Sequence, residues 1–291
     1  MGTSTDSNAD AMLALRCMEI WGGNRAVDQR ASVPGLHISV RSTPHNGEDA
    51  GGDIYYISQC GAGNISRIVL ADVAGHGAGV SALAGSLQKM MRRHINTPDQ
   101  TRLARELNRE FETIETGGRF ATALLATYWA PTRELIVVNA GHPAPLRFSR
   151  GAWSFVERGV SEASAANLPL GVIEPTTYSQ DAIALDPGDV VVLYTDALPE
   201  TGVKPGGQLG MEGLLRLANE IGEPSGGAFA DALLDRVRSL RGGGEAEDDE
   251  TVIVLEHHGA SPSAQGLSER LGVLGRMVGL GRVYRGELAA G

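Results

Sequence analysis

The sequence predicts an α+β layered domain with antiparallel sheets at its centre, and three observations predict it. Short alternating or apolar runs recur at His37 to Val40, Ile54 to Ser58, Ser66 to Leu70, Phe120 to Trp129, Glu134 to Ala140, Val190 to Tyr194 and Thr251 to Glu256, with turn residues between them. Segments of helical spacing come as pairs after each block of strands, which argues against a βαβ alternation. Connections such as Ala130-Pro131-Thr132-Arg133 carry hairpin-turn chemistry.

Taken in order, residues 9–22 predict a short helix from the spacing of Ala11, Leu13, Leu15, Met18 and Ile20, stopped by Gly22 and Gly23. The three strand runs between residues 37 and 70 follow. Val80, Leu83, Ala84, Leu87, Met90 and Met91 then recur at helical spacing, so residues 78–95 form a buried helix. A second helix is expected over 99–116, where Leu103, Leu107, Phe111 and Ile114 make one apolar stripe. After the 120–129 and 134–140 hairpin, Asp186-Pro187-Gly188-Asp189 forms a tight turn into the β-rich run at 190. Helices fill 211–222 and 226–240, and the strand at 251–256 ends the domain. Residues 1–35 read as an extension carrying the short helix, 36–258 as the domain, and 259–291 as a Gly- and Arg-containing tail whose glycines each weaken a helix by about 1 kcal/mol.

Composition narrows the function. The formal net charge is -10, without the clustered Lys and Arg that bind nucleic acid. Cys17 and Cys60 stand far apart with no CxxC, which excludes a thiolate metal site and suits a reducing cytoplasm. The polar start from Met1 to Asp10 is unlike a secretory signal, and no apolar stretch approaches the roughly 18 residues that span a bilayer. The expectation is a soluble cytoplasmic protein with no nucleic-acid partner.

Four carboxylates carry the chemistry: Asp53 in Gly-Gly-Asp, Asp72 in Leu-Ala-Asp-Val-Ala-Gly-His-Gly, Asp196 in Leu-Tyr-Thr-Asp and Asp248 in Asp-Asp-Glu-Thr-Val. Each stands at the edge of an apolar strand-like run. Brought within about 5 Å, each like-charge pair costs about 3 kcal/mol at an effective dielectric near 20, so only bound cations make such a cluster stable. Hard oxygen donors without Cys or His at ligand spacing favour magnesium or manganese over zinc. Asp186 and Asp189 belong to the turn they make. Asp249 is read either as a further ligand or as a cap of the acidic loop at 242–250. His142 in Asn-Ala-Gly-His-Pro is read as tying a turn and is left out of the metal set.

In order, Gly-Gly-Asp53, Leu-Ala-Asp72-Val-Ala-Gly-His76-Gly, Phe120-Ala-Thr-Ala, Asn139-Ala-Gly-His142, Leu168-Pro-Leu-Gly171, Pro187-Gly-Asp189, Tyr194-Thr-Asp196 with Glu200, and Asp248-Asp-Glu-Thr251 resemble the SpoIIE/RsbU-like branch of the metal-dependent type 2C (PPM) serine/threonine phosphatases. The resemblance runs from about residue 36 to 257. It implies a four-layer αββα sandwich, with a central antiparallel β-sandwich flanked by helix pairs and two divalent cations, Mn or Mg, at one end. It implies Asp53, Asp72, Asp196, Asp248 and the backbone carbonyl of Val73 as ligands. The two ions would activate a water against the phosphorus and neutralise the phosphoryl oxygens, with no protein nucleophile. His76 would contact phosphate or protonate the leaving oxygen. The implied substrate is a phosphorylated regulatory protein, of the anti-sigma-factor-antagonist kind.

Two departures stand out. Ala197 follows Asp196 where the family commonly has Gly, and strains the loop by about 1 to 3 kcal/mol if that position needs positive φ. Tyr55-Tyr56 replaces the common Tyr-Asp. The phosphate-gripping Arg of eukaryotic relatives has only Arg41 as a nearby counterpart. The rival readings are a pseudophosphatase scaffold that kept the fold and lost turnover, and a hydrolase of small phosphoesters.

Overall fold

A computed structural model of the chain describes residues 12–15, 20–60, 63–75, 77–94, 97, 99–114, 117–156, 166–203 and 206–259. The elements in chain order are β1 (Leu13–Ala14), β2 (Ile20–Gly23), β3 (Val27–Val33), β4 (Leu36–Thr43), β5 (Asp53–Cys60), β6 (Ile65–Val73), α1 (Ala78–His94), α2 (Gln100–Thr113), β7 (Ala121–Trp129), β8 (Glu134–Ala140), β9 (Leu146–Ser149), β10 (Ala152–Phe155), β11 (Asp181–Ala184), β12 (Val190–Tyr194), α3 (Gly210–Ile221), α4 (Gly226–Leu240) and β13 (Glu250–His257). They form two stacked sheets, ordered β1-β3-β4-β13-β12-β9-β10 and β11-β8-β7-β6-β5-β2. All pairs but β1 with β3 are antiparallel. The α+β expectation and its four layers hold.

Period-two alternation builds those layers. On β6, Ile68 and Leu70 face the opposite sheet, where they meet Ile38, Val40, Leu193, Ile253 and Leu255. The intervening Val69, Ala71 and Val73 face outward against Val80, Leu87, Leu103 and Phe111 of α1 and α2. On the other sheet Val252 and Val254 turn outward against Leu214, Phe229 and Leu233 of α3 and α4. Near-continuous apolar strands are what a sheet covered on both faces requires. Asp99 starts α2 by accepting a bond from the Arg102 amide at 2.9 Å.

The described part of residues 9–22 carries β1 and β2 in place of the expected helix. Its apolar spacing was compatible with a helix, but pairing with β5 wins. Trp21 packs edge-on against Tyr55 with ring centroids 5.5 Å apart. Gly22 lets the two backbones close, since a Cβ there would sit 2.5 Å from the Tyr55 carbonyl oxygen. With β3 added, the sheets begin well before residue 36. The sequence reading also passed over β3, β9, β10 and β11, short or half-exposed strands with little apolar alternation. Among the described residues no helix is long and apolar enough to cross a membrane. The tail after residue 259 lies outside the described residues.

Candidate metal centre

Register brings the first two acids together. Asp53 opens β5 and Asp72 nearly closes β6, and the two are direct cross-strand partners. Directly opposed residues project to one side with Cβ atoms roughly 5 Å apart. They share the parity of Tyr55, Ile57, Ile68 and Leu70, so both carboxylates point between the sheets, at the end of the sandwich. Both are buried. The opposite sheet supplies the other two from its own strand ends: Asp196 follows β12, and Asp248 precedes β13, which pairs with β12.

The sheets are joined at this point through Asp53. Thr195 donates its hydroxyl to Asp53 Oδ2 at 3.0 Å, and the Thr251 side chain also hydrogen-bonds the carboxylate. Thr195 Oγ1 in turn accepts the Thr251 amide at 3.0 Å. Sequence reasoning missed the role of both threonines, which lie inside the motifs Tyr194-Thr-Asp196 and Asp248-Asp-Glu-Thr251, of which only the acids were read.

Burial pushes the Asp53 carboxyl well above the ordinary carboxylate range, and neighbouring Asp72 adds to the rise. Asp72 is raised likewise, by burial first and then by Asp196, Asp248, Asp249 and Glu200. Asp196 is pushed up to about 6 by burial, Glu200 and Asp248. Among the described residues no Lys, Arg or His makes an ion pair with Asp53, Asp72 or Asp196. Concentrated, uncompensated oxygen donors of this kind suit a hard divalent cation. Among the described residues, however, no three His, Cys, Asp or Glu groups stand close enough to hold one ion. The donor chemistry fits a divalent cation, and holding one would draw these carboxylates closer together.

Both glycines of Gly-Gly-Asp53 are required by close approach. A Cβ on Gly51 would run into the Asp249 carboxylate. One on Gly52 would sit 2.9 Å from the Val73 carbonyl oxygen and 2.8 Å from Val80. Val73 therefore packs its carbonyl against the residue preceding Asp53. Asp249 is occupied as a cap: it accepts from the His45 amide at 2.6 Å and the Gly52 amide at 2.5 Å, which holds the β4–β5 loop beneath the acids.

The remaining expectations divide. Ala197 is not among the residues with positive φ, so the expected loop strain is absent; its amide instead hydrogen-bonds the Asp196 carboxylate. Tyr55 and Tyr56 are buried core residues. Arg41 is committed elsewhere, its guanidinium bonding Asp231 of α4 at 2.7 and 3.2 Å and Asp28 at 2.6 Å. Asp186 and Asp189 close their turn, with the Asp189 amide 2.9 Å from the Asp186 carbonyl oxygen. His76 lies outside the described residues. Beside Asp196 and Asp248 opens a cavity of about 210 Å³, lined also by Glu200, Thr201, Arg241 and Glu247. A neighbouring one of about 350 Å³ shares Gly202, Arg241 and Glu247 with it.

The model of the Stage II sporulation protein E (SpoIIE) family matches residues 63–258, which contain Asp72, Val73, Asp196 and Asp248. The chain belongs to the SpoIIE family. Its similarity to the phosphoserine phosphatase RsbP of Bacillus subtilis is 24% identity over 166 residues, 55% of this chain but only 40% of that relative. The RsbU and RsbW domains of a Mycobacterium tuberculosis protein superpose with a TM-score of 0.66 at 23% identity, covering 82% of this chain and 64% of theirs. The PP2C phosphatase domain of SpoIIE from Bacillus subtilis, solved with a fragment of its regulatory domain, gives 0.63 at 18% identity, with 76% and 63% covered. The fold is thus of the PP2C type.

Proposed function

We propose that this SpoIIE-family chain is a metal-dependent serine/threonine phosphatase that hydrolyses phosphoserine or phosphothreonine on a regulatory protein. One observation carries the reading: Asp53 and Asp72, paired in register on one sheet, are buried at the sandwich end that Asp196 and Asp248 reach from the other, and among the described residues no cationic side chain pairs with Asp53, Asp72 or Asp196. Asp53, Asp72, Asp196, Asp248 and the Val73 carbonyl would hold two divalent ions, manganese or magnesium, which when bound supply an activated water and neutralise phosphoryl charge.

The chain's own residues do the rest. Thr195 and Thr251 orient the Asp53 carboxylate and favour its ionised form, ready for a cation. The Ala197 amide does the same for Asp196. His76 is the proposed donor of a proton to the departing serine or threonine Oγ. The groove beside Asp196 and Asp248 receives the segment flanking the phosphoresidue. The family relationship to RsbP, RsbU and SpoIIE supports a partner of the anti-sigma-factor-antagonist kind.

The test is manganese-dependent phosphate release from a phosphoserine protein, measured beside an aryl phosphate. Release from the protein, abolished in Asp53→Asn and Asp248→Asn, is expected. Unchanged rates in both variants, or turnover of the small ester alone, would overturn the reading.

A further inference from the structure

The turn expected at His142 exists, tied through Asn139. The Asn139 side chain accepts from the His142 amide at 2.8 Å and donates to the His142 carbonyl at 2.9 Å. Those bonds use only the backbone of residue 142, so any side chain would serve them. The imidazole needs another explanation. It is 1% exposed, with Nε2 3.1 Å from the Tyr194 carbonyl oxygen and Nδ1 2.8 Å from the Thr122 hydroxyl. A carbonyl can only accept, so Nε2 carries a proton, and in the neutral ring Nδ1 then accepts from Thr122.

The two ends of this bridge lie on different sheets. Thr122 is the β7 residue directly opposite Asp72. Tyr194 ends β12 two residues before Asp196. We propose that His142 is a positioning residue: its ring spans the sandwich and sets the spacing between the Asp72 half and the Asp196 half of the site. The proposal rests on the reading that these acids hold metal. Groups that orient metal ligands from behind typically change affinity 10- to 100-fold when removed, which sets the scale of the effect.

Manganese affinity of the full chain, measured by titration calorimetry, tests the strut without relying on turnover. Thr122→Val keeps the side-chain shape and removes one hydroxyl. It is expected to weaken manganese binding about tenfold, with the melting temperature in chelator little changed, and Thr122→Ser is expected to restore affinity. His142→Ala should lose at least as much, and adding Thr122→Val to it should cost nothing further, because both break one bridge. Nitrogen chemical shifts should show the Nε2–H tautomer of His142, with Nδ1 moving in Thr122→Val. Wild-type manganese affinity in Thr122→Val and His142→Ala, or losses that simply add, would overturn the proposal. No manganese binding by the wild-type chain would overturn it together with the metal reading. Manganese binding without phosphate release would sink the phosphatase reading alone and leave the strut standing.

Discussion

The two ends of the sandwich crowd titratable groups together, yet with opposite charge logic. At the end where β5 and β13 begin stand buried Asp53 and Asp72 and half-buried Asp196, all raised above their ordinary range. Where β13 ends and β4 begins, His37 and His258 stack with ring centroids 4.3 Å apart, and Tyr128 lies 5.8 Å from His257. There burial, and then His258, lower the His37 pKa. Both ends favour the neutral form of their groups. One end loses stability when its acids ionise, the other when its base protonates, and only the first has a ready remedy in a divalent cation. A buried acid cluster that costs stability is what a binding site looks like before its ligand arrives.

The sharpest way to break this contrast is to neutralise one acid. Asp72→Asn should reduce manganese-dependent phosphate release by several orders of magnitude, yet stabilise the chelated chain by about 1 to 3 kcal/mol, since it removes a buried like charge. Melting in chelator would check this, at about 2 to 4 °C per kcal/mol for a domain of this size. A fall in midpoint would mean that the acids are not in conflict.

Next in size is Gly52→Ala. Its Cβ would press on the Val73 carbonyl oxygen and on Val80, so a loss of about 1 to 3 kcal/mol is expected together with weaker manganese binding. Calorimetry and thermal melting report the two separately.

The pH dependence separates the ends. A carboxyl raised from 3.8 to about 6 binds more protons when folded, so the chelated chain should lose stability as pH rises from about 4 through 6, and Asp196→Asn should flatten that slope. Saturating manganese should abolish it. The smallest effect belongs to His37, whose lowered pKa has the opposite sign. Its contribution is complete above the ordinary value of about 6.5 and is lost as pH falls below it, so His37→Phe should reduce the decline there. Midpoints measured across pH for each variant against wild type would show both slopes; equal slopes would erase the distinction.

How much of this was legible in the sequence follows from the range of the interactions. Strands β5 to β8, β12 and β13 announce themselves because each is apolar on both faces, β4 because it alternates, and Asp53, Asp72, Asp196 and Asp248 because each stands at the edge of such a run. The helix expected over residues 9–22 fails because Ile20 and Trp21 have spacing compatible with either structure, and the partner that decides, β5, lies more than thirty residues on. Thr195 and Thr251 acquire their role only when one sheet is laid over the other. Ala197 shows the reverse error: a departure from a family pattern suggested strain that its backbone does not have.

The position of β13 has a consequence for how the protein is made. It lies inside its sheet, between β4 and β12, and its bonds to β4 join residues such as Thr43 and Glu250 across about two hundred positions of chain. Until a ribosome has released that segment, β4 and β12 have no neighbour to hold them side by side, and Asp248 is only just emerging. A chain that stops short of Asp248 lacks both that acid and the strand that joins β4 to β12, and long-range pairing of this kind makes for slow folding. The acid cluster is therefore completed in one step with the closing of the sheet.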